Sequence, residues 1–256
     1  MKNKQDYIAV FDSGIGGVSV LKRLMALMPR ERYLYFGDSA NAPYGDRPEA
    51  EILSLTLSAA ESILQQNVKA LVVACNTATA VAAEALRSRY RETVIVGIEP
   101  AVKPAAENFP GGTVGILGTT ATLHSRRFHQ LLDRRGAGCR FLRLSVPGLV
   151  PLVEQGLGNS PEAASLLEPI LLPHRETLDA VVLGCTHYPF AAESIRRCLK
   201  PGTPLLDGGI GTAKQTHRLL AEANLLNDGQ GALVYQNSSP DPSLHALFQT
   251  LLTQTL

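Results

Sequence analysis

Short runs of aliphatic and β-branched residues recur along this chain at Ile8–Phe11, Tyr33–Phe36, Ala70–Ala74, Val94–Gly97, Thr113–Leu117, Arg140–Val146, Ala180–Leu183, Pro204–Leu206 and Ala232–Gln236. They are apolar at successive positions rather than at alternate ones, which is the pattern of strands covered on both faces. Between most of them the apolar positions change to helical spacing. Val18, Leu21, Met25 and Met28 form one such stripe, closed by Pro29, and Ile52, Thr56, Ala59 and Ile63 form another after a Pro-Glu start. Strand and helix alternating over the whole length predict an α/β fold with parallel sheets.

A coarse internal repeat divides the chain. Ile8-Ala9-Val10-Phe11-Asp12-Ser13-Gly14 reads as strand, polar turn and helix start, and so does Val114-Gly115-Ile116-Leu117-Gly118-Thr119-Thr120. Each is followed by its own cysteine-terminated strand, Val72-Val73-Ala74-Cys75-Asn76-Thr77 and Val182-Leu183-Gly184-Cys185-Thr186-His187. Two similar, doubly wound α/β domains are therefore expected. The first takes residues 1–97 with 208–256, and the second takes 98–207. Crossovers fall near Ile98–Lys103 and Leu206–Gly211.

Composition narrows the class. With 45% hydrophobic and 18% charged residues, the 256-residue chain can bury one large or two modest cores. A net charge of +1 gives no support to nucleic-acid binding as the main role. No apolar run is long enough to span a membrane, and no signal-peptide core precedes Ile8, so a cytoplasmic protein with reduced thiols is expected. Four cysteines without CxxC spacing oppose both a disulfide framework and a structural zinc site.

The candidate chemistry lies where strands end. A thiol there faces the crevice in which α/β proteins bind ligands, and two thiols from two similar halves can face one ligand from opposite sides. That layout takes a proton from one face of a carbon and returns one to the other. A position near a helix N-terminus is expected to lower both thiol pKa values from the free value of about 8.5. Cys139 and Cys198 lack the strand-end context and are read as structural, as are His124, His129, His174, His217 and His245. His187, two residues after Cys185, is a partner for that thiol.

The turn Asp12-Ser13-Gly14-Ile15-Gly16-Gly17 suits a carboxylate or other small anion. A dinucleotide fingerprint fails because Ser19 stands where its third glycine belongs. Neither a metal nor an organic cofactor is expected. The loop Gly37–Gly45 carries Tyr44 and reads equally well as a plain surface loop or as a binding loop. A Cys–His hydrolase would use one thiol and leave the second copy unexplained.

These motifs resemble the glutamate racemase family through Phe11–Gly17, Gly37–Gly45, Ala74–Ala78, Ile98–Ala105, Leu149–Gly156 and Gly184–Phe190, which follow the family's order over most of the chain. The resemblance implies two pseudo-symmetric domains with the active site between them, and no cofactor. It implies a role in supplying D-glutamate for peptidoglycan, and allows a homodimer. It makes Cys75 and Cys185 the acid/base thiols, with Asp12 supporting the first and Glu154 and His187 the second. Asp12, Ser13, Tyr44, Gly45, Asn76, Thr77, Thr186 and His187 become substrate contacts. The family's usual Asp-Ser after the last strand of the second domain is Asp207-Gly208-Gly209 here, which predicts a looser return crossover. Without the N-terminal extension of members that respond to a cell-wall precursor, no such activation is expected.

Overall fold

The computed structural model describes residues 2–255. Every strand run becomes a strand, shifted at its ends by at most one or two residues: β1 (Tyr7–Asp12), β2 (Arg32–Gly37), β3 (Val68–Val73), β4 (Val94–Gly97), β5 (Thr113–Gly118), β6 (Arg140–Ser145), β7 (Ala180–Leu183), β8 (Leu205–Asp207) and β9 (Ala232–Asn237). The helices are α1 (Val18–Leu27), α2 (Glu49–Leu64), α3 (Asn76–Arg89), α4 (Val102–Asn108), α5 (Thr120–His124), α6 (Arg126–Arg135), α7 (Leu149–Glu154), α8 (Pro161–Leu171), α9 (Ala192–Arg197), α10 (Gly209–Glu222) and α11 (Ser243–Thr253). Among the described residues no helix is long and apolar enough to cross a membrane.

All strand pairs are parallel. One sheet has the order β4-β3-β1-β2-β9 and the other β6-β5-β7-β8. The two share one topology, with β5, β6, β7 and β8 standing for β1, β2, β3 and β4. In each, the chain winds outward from a central strand in both directions. Ligands bind at such a reversal, outside the carboxyl ends of the strands. Asp12 ends β1 and Cys75 follows β3, the reversal pair, and Thr119 and Cys185 follow β5 and β7. The matching extends to the backbone: Ala74 N–H donates to the Phe11 carbonyl at 2.8 Å, and Gly184 N–H to the Leu117 carbonyl at 2.6 Å.

The central strands bury both faces, as the continuous apolar pattern requires, and β3 is buried at every position. The edge strands β6 and β9 depart from it. β6 turns Arg140 and Arg143 to solvent, because an edge strand has one poorly covered side. One buried cluster runs through both sheets, from Val10 and Val72 to Leu117, Leu183 and Phe248. Each fully buried side chain of this size contributes about 1.5–3 kcal/mol.

The C-terminal segment returns to the first sheet. β9 pairs with β2, and α10 packs on α1 and β4. Beneath it lies a buried ion pair that the strand pattern does not show. Lys69 Nζ meets Glu31 at 2.6 Å and donates to the Leu225 carbonyl at 2.9 Å, while the other Glu31 oxygen accepts from Asn227 N–H at 2.8 Å. The return crossover is tight rather than loose. Asp207 accepts from Gly209 N–H at 2.7 Å, and a Cβ on Gly208 would collide with the Glu99 carbonyl of the other crossover. Glycine fits here because two backbones touch.

Candidate active site

The carboxyl ends of both sheets face one cleft. Both Cys75 and Cys185 line it, as do Ser13, Tyr44, Gly45, Asn76, Thr77, Thr186 and His187. No lysine or arginine among the described residues does so; the polar lining is hydroxyls, an amide, backbone, Asp46 and His187. Asp12 and Glu154 stand behind this layer. Asp12 is fully buried and reaches the cleft through Thr186. Cys139 and Cys198 lie elsewhere, bonded to the carbonyls of Phe109 and Ser194.

The two thiols sit differently. Cys75 is the N-cap of α3, its sulfur accepting from Ala78 N–H at 3.4 Å with Ser13 Oγ at 3.3 Å. A lowered pKa was the expectation from that position, and here the structure corrects it. Burial pushes the Cys75 thiol up to about 11, and the Asp12 carboxylate pushes the same way; the bonds from Ser13 and Ala78 only partly offset them. Cys185 caps no α-helix, since a 3-10 turn at Tyr188–Ala191 separates it from α9. Its sulfur lies 3.7 Å from His187 Nδ1.

His187 and Glu154 form one unit. His187 Nε2 donates to Glu154 Oε1 at 2.5 Å, and Ile15 N–H donates to the same oxygen at 2.7 Å. Burial opposes the imidazole's charge, yet Cys185 and Glu154 together hold its pKa well above the ordinary value. Burial likewise opposes the Glu154 charge, and the bonds from His187 and Ile15 outweigh it and hold the carboxyl low. The turn after β1 thus does hold a carboxylate, and that carboxylate is the protein's own Glu154. Its glycines serve the same approach. A Cβ on Gly14 would land on Glu154, and one on Gly16 on His187.

Asp12 does not bond Cys75. Its recorded partners are Gly14 N–H at 3.1 Å and, from the other half of the chain, Thr186 Oγ1 at 2.9 Å. Burial raises its pKa against the pull of His187 and Thr186. Tyr44 lines the cleft, but its hydroxyl is donated to Asp38 at 2.5 Å. Asn76 keeps its amide oxygen buried and, among the described residues, without a partner, which leaves it available to a ligand donor.

Several lining residues escaped the sequence reading: Thr119, Thr120, Ser145 and the Val146–Gly148 turn. Thr119 Oγ1 meets Thr77 Oγ1 at 2.9 Å and Thr122 Oγ1 at 2.9 Å, joining the two halves at the cleft floor. Gly45 lies against Thr119 so closely that a Cβ would come 2.8 Å from it. The internal repeat held the signal, because it aligns Thr119 with Ser13.

The family model described as Asp/Glu/hydantoin racemase matches residues 16–216. A glutamate racemase of Clostridium botulinum is 40% identical over 255 residues, covering 98% of this chain and 99% of that protein. The structure of glutamate racemase from Thermus thermophilus, in complex with β-chloro-D-alanine, superposes with a TM-score of 0.82 at 38% identity, covering 99% of this chain and 95% of that one. That from Francisella tularensis, in complex with D-glutamate, gives 0.86 at 27% identity, covering 99% and 96%.

Proposed function

The chain belongs to the Asp/Glu/hydantoin racemase family, and from that premise we propose that it interconverts L- and D-glutamate by two-thiol acid/base chemistry. The observation that carries this reading is the convergence of Cys75 and Cys185, from equivalent strand ends of two sheets, on one cleft. The product D-glutamate goes to peptidoglycan synthesis, which places the enzyme in the cytoplasm. The division into residues 1–97 with 208–256 and residues 98–207 belongs to the same reading, each domain contributing one thiol.

The α-proton of an amino acid is weakly acidic, so the site must stabilise developing carbanion charge. Neutral donors do this here: the N–H groups at the start of α3, with the hydroxyls of Ser13 and Thr77 beside them. With L-glutamate bound, the Cys185 thiolate takes the α-proton on one face and the Cys75 thiol gives its proton to the other. The C–H electron pair stays on the α-carbon and forms the new C–H bond. The product is D-glutamate, and the thiolate now resides on Cys75. The reverse reaction runs from that state. His187, charged through Glu154, donates to a thiolate at Cys185. Asp12 holds Thr186 against the bound substrate.

Circular dichroism of D- and of L-glutamate incubated with the purified chain tests the reading. Both solutions should decay to zero ellipticity without added cofactor. Cys75→Ala and Cys185→Ala should each abolish the decay, since every turnover uses both faces. Aspartate should react poorly, because its shorter side chain leaves donors unpaired. Racemisation near the wild-type rate in either cysteine variant, or a lasting need for pyridoxal phosphate, would reject it.

A further inference from the structure

Ser19, the residue that breaks the dinucleotide pattern, is buried in the first turn of α1 and lines no part of the cleft. Its Oγ lies 2.9 Å from the Gly16 carbonyl and 2.9 Å from the Thr186 carbonyl, which is 167 positions away. The need for the second contact is visible in the backbone. After Cys185 the chain makes a tight turn in which Tyr188 N–H pays back the Cys185 carbonyl at 3.2 Å and Phe190 N–H the His187 carbonyl at 3.0 Å. The donor for the carbonyl between them would be residue 189. That residue is Pro189, which has no N–H. Among the described residues, Ser19 Oγ is the recorded partner of this buried oxygen. The Gly16 carbonyl, by contrast, also receives Ser19 N–H at 3.0 Å.

We propose that Ser19 is a positioning residue for the Cys185 side of the reaction, clamping the Thr186 peptide from the opposite half of the chain. Thr186 is then held at both ends. Ser19 fixes its carbonyl and Asp12 fixes its hydroxyl at 2.9 Å. The residues on either side are Cys185 and His187, whose 3.7 Å contact depends on where this peptide lies. Cys75 has no such link, since its sulfur is held by Ser13 and by the start of its own helix. Loss of the Ser19 hydroxyl should therefore disturb one thiol and spare the other.

The inference rests on the two-thiol reading, and its test separates the two. Alkylation of Cys75 and Cys185 by iodoacetamide, followed by peptide mass spectrometry on the ligand-free protein, measures each thiol without any racemisation. In Ser19→Ala the rate at Cys185 should fall at least about threefold relative to that at Cys75, because His187 is no longer poised to donate to a thiolate there. Racemisation kcat/KM should fall between about 10- and 100-fold, the usual result of a small misplacement away from the chemistry. Ser19→Thr, which keeps the hydroxyl, should restore both readouts. Ser19→Gly, which also lacks the hydroxyl and adds no bulk, should reproduce the Ala result. An unchanged alkylation ratio in Ser19→Ala and Ser19→Gly would overturn the proposal, whatever the racemisation rate. A wild-type chain that fails to racemise glutamate would overturn the functional reading instead.

Discussion

A thiol raised to about 11 is protonated at neutral pH, which suits Cys75 to the proton-donor step proposed for it. Its alkylation rate in the ligand-free protein should climb about tenfold per pH unit through the neutral range and level off only near 11, since the thiolate is the nucleophile. Asp12→Asn removes the largest cause after burial that raises this thiol, so the levelling point should move to lower pH; an unmoved profile would show that the Asp12 charge has no part in it. The same substitution tests how the helpers divide. Asp12 bonds Thr186 in the Cys185 half while its charge acts on Cys75. Primary isotope effects with α-deuterated D- and L-glutamate should therefore both change in Asp12→Asn. In His187→Asn the change should fall mainly on the L-direction, through Cys185. Comparison of kcat/KM alone does not discriminate, because enantiomers have equal free energy and the two directions must fall together. Strand-end context marks both thiols and His187 in the sequence, and the family resemblance ties Asp12 to Cys75 alone. The bond to Thr186 crosses between halves, and no local pattern encodes it.

The turn between β1 and α1 acts as one element that receives the Glu154–His187 pair. Gly16→Ala puts a methyl group where the His187 ring lies, so kcat/KM should drop by about 10²-fold while the turn itself, with a negative φ at this position, still forms. Retention of wild-type turnover in Gly16→Ala would show that His187 has room to yield. The pair also has a signature in stability. Glu154, held below its ordinary value of 4.5, contributes stability that is present above that value and lost as pH falls through its folded pKa. His187, held above 6.5, contributes stability that is full below that value and lost as pH rises through its own folded pKa. Both contributions operate most fully between 4.5 and 6.5. Urea unfolding should then show Glu154→Gln destabilised by about 1–3 kcal/mol in that window, with a smaller gap on either side. The gap is limited because His187 can give up its proton once the carboxylate is gone.

At the scale of the whole molecule, the C-terminal return closes the first sheet and backs the site. Phe248 on α11 packs 4.4 Å from the Tyr235 ring and 5.2 Å from that of Tyr35, and Tyr35 donates its hydroxyl to the Gly14 carbonyl at 2.7 Å. Phe248→Ala should cost about 3–5 kcal/mol and should lower activity through the Gly14 turn. Because the main apolar cluster crosses both sheets, far-UV dichroism and tyrosine fluorescence should report one coincident unfolding transition. Two separated transitions would mean that the sheets unfold independently. The Lys69–Glu31 pair belongs to the same scale. Single removal of either partner strands a buried charge, whereas replacing both with apolar residues is expected to be tolerated better.

The amino-acid sequence by itself determined the α/β class, the positions of the nine strands among the described residues and the pair of strand-end cysteines. These depend on local periodicity and on an internal repeat, both of which are written along the chain. It also located the carboxylate-holding turn, though not that its occupant is Glu154. Only the tertiary structure decided the Ile15–Glu154–His187 bonding, the Thr186–Asp12 and Thr186–Ser19 stitches, the Thr77–Thr119 floor and the raised Cys75 thiol. Each of these joins residues far apart in sequence, or follows from desolvation. Burial of a thiol against a carboxylate follows from the pairing of β1 with β3 and the packing over their ends, and spacing along one strand carries no trace of it.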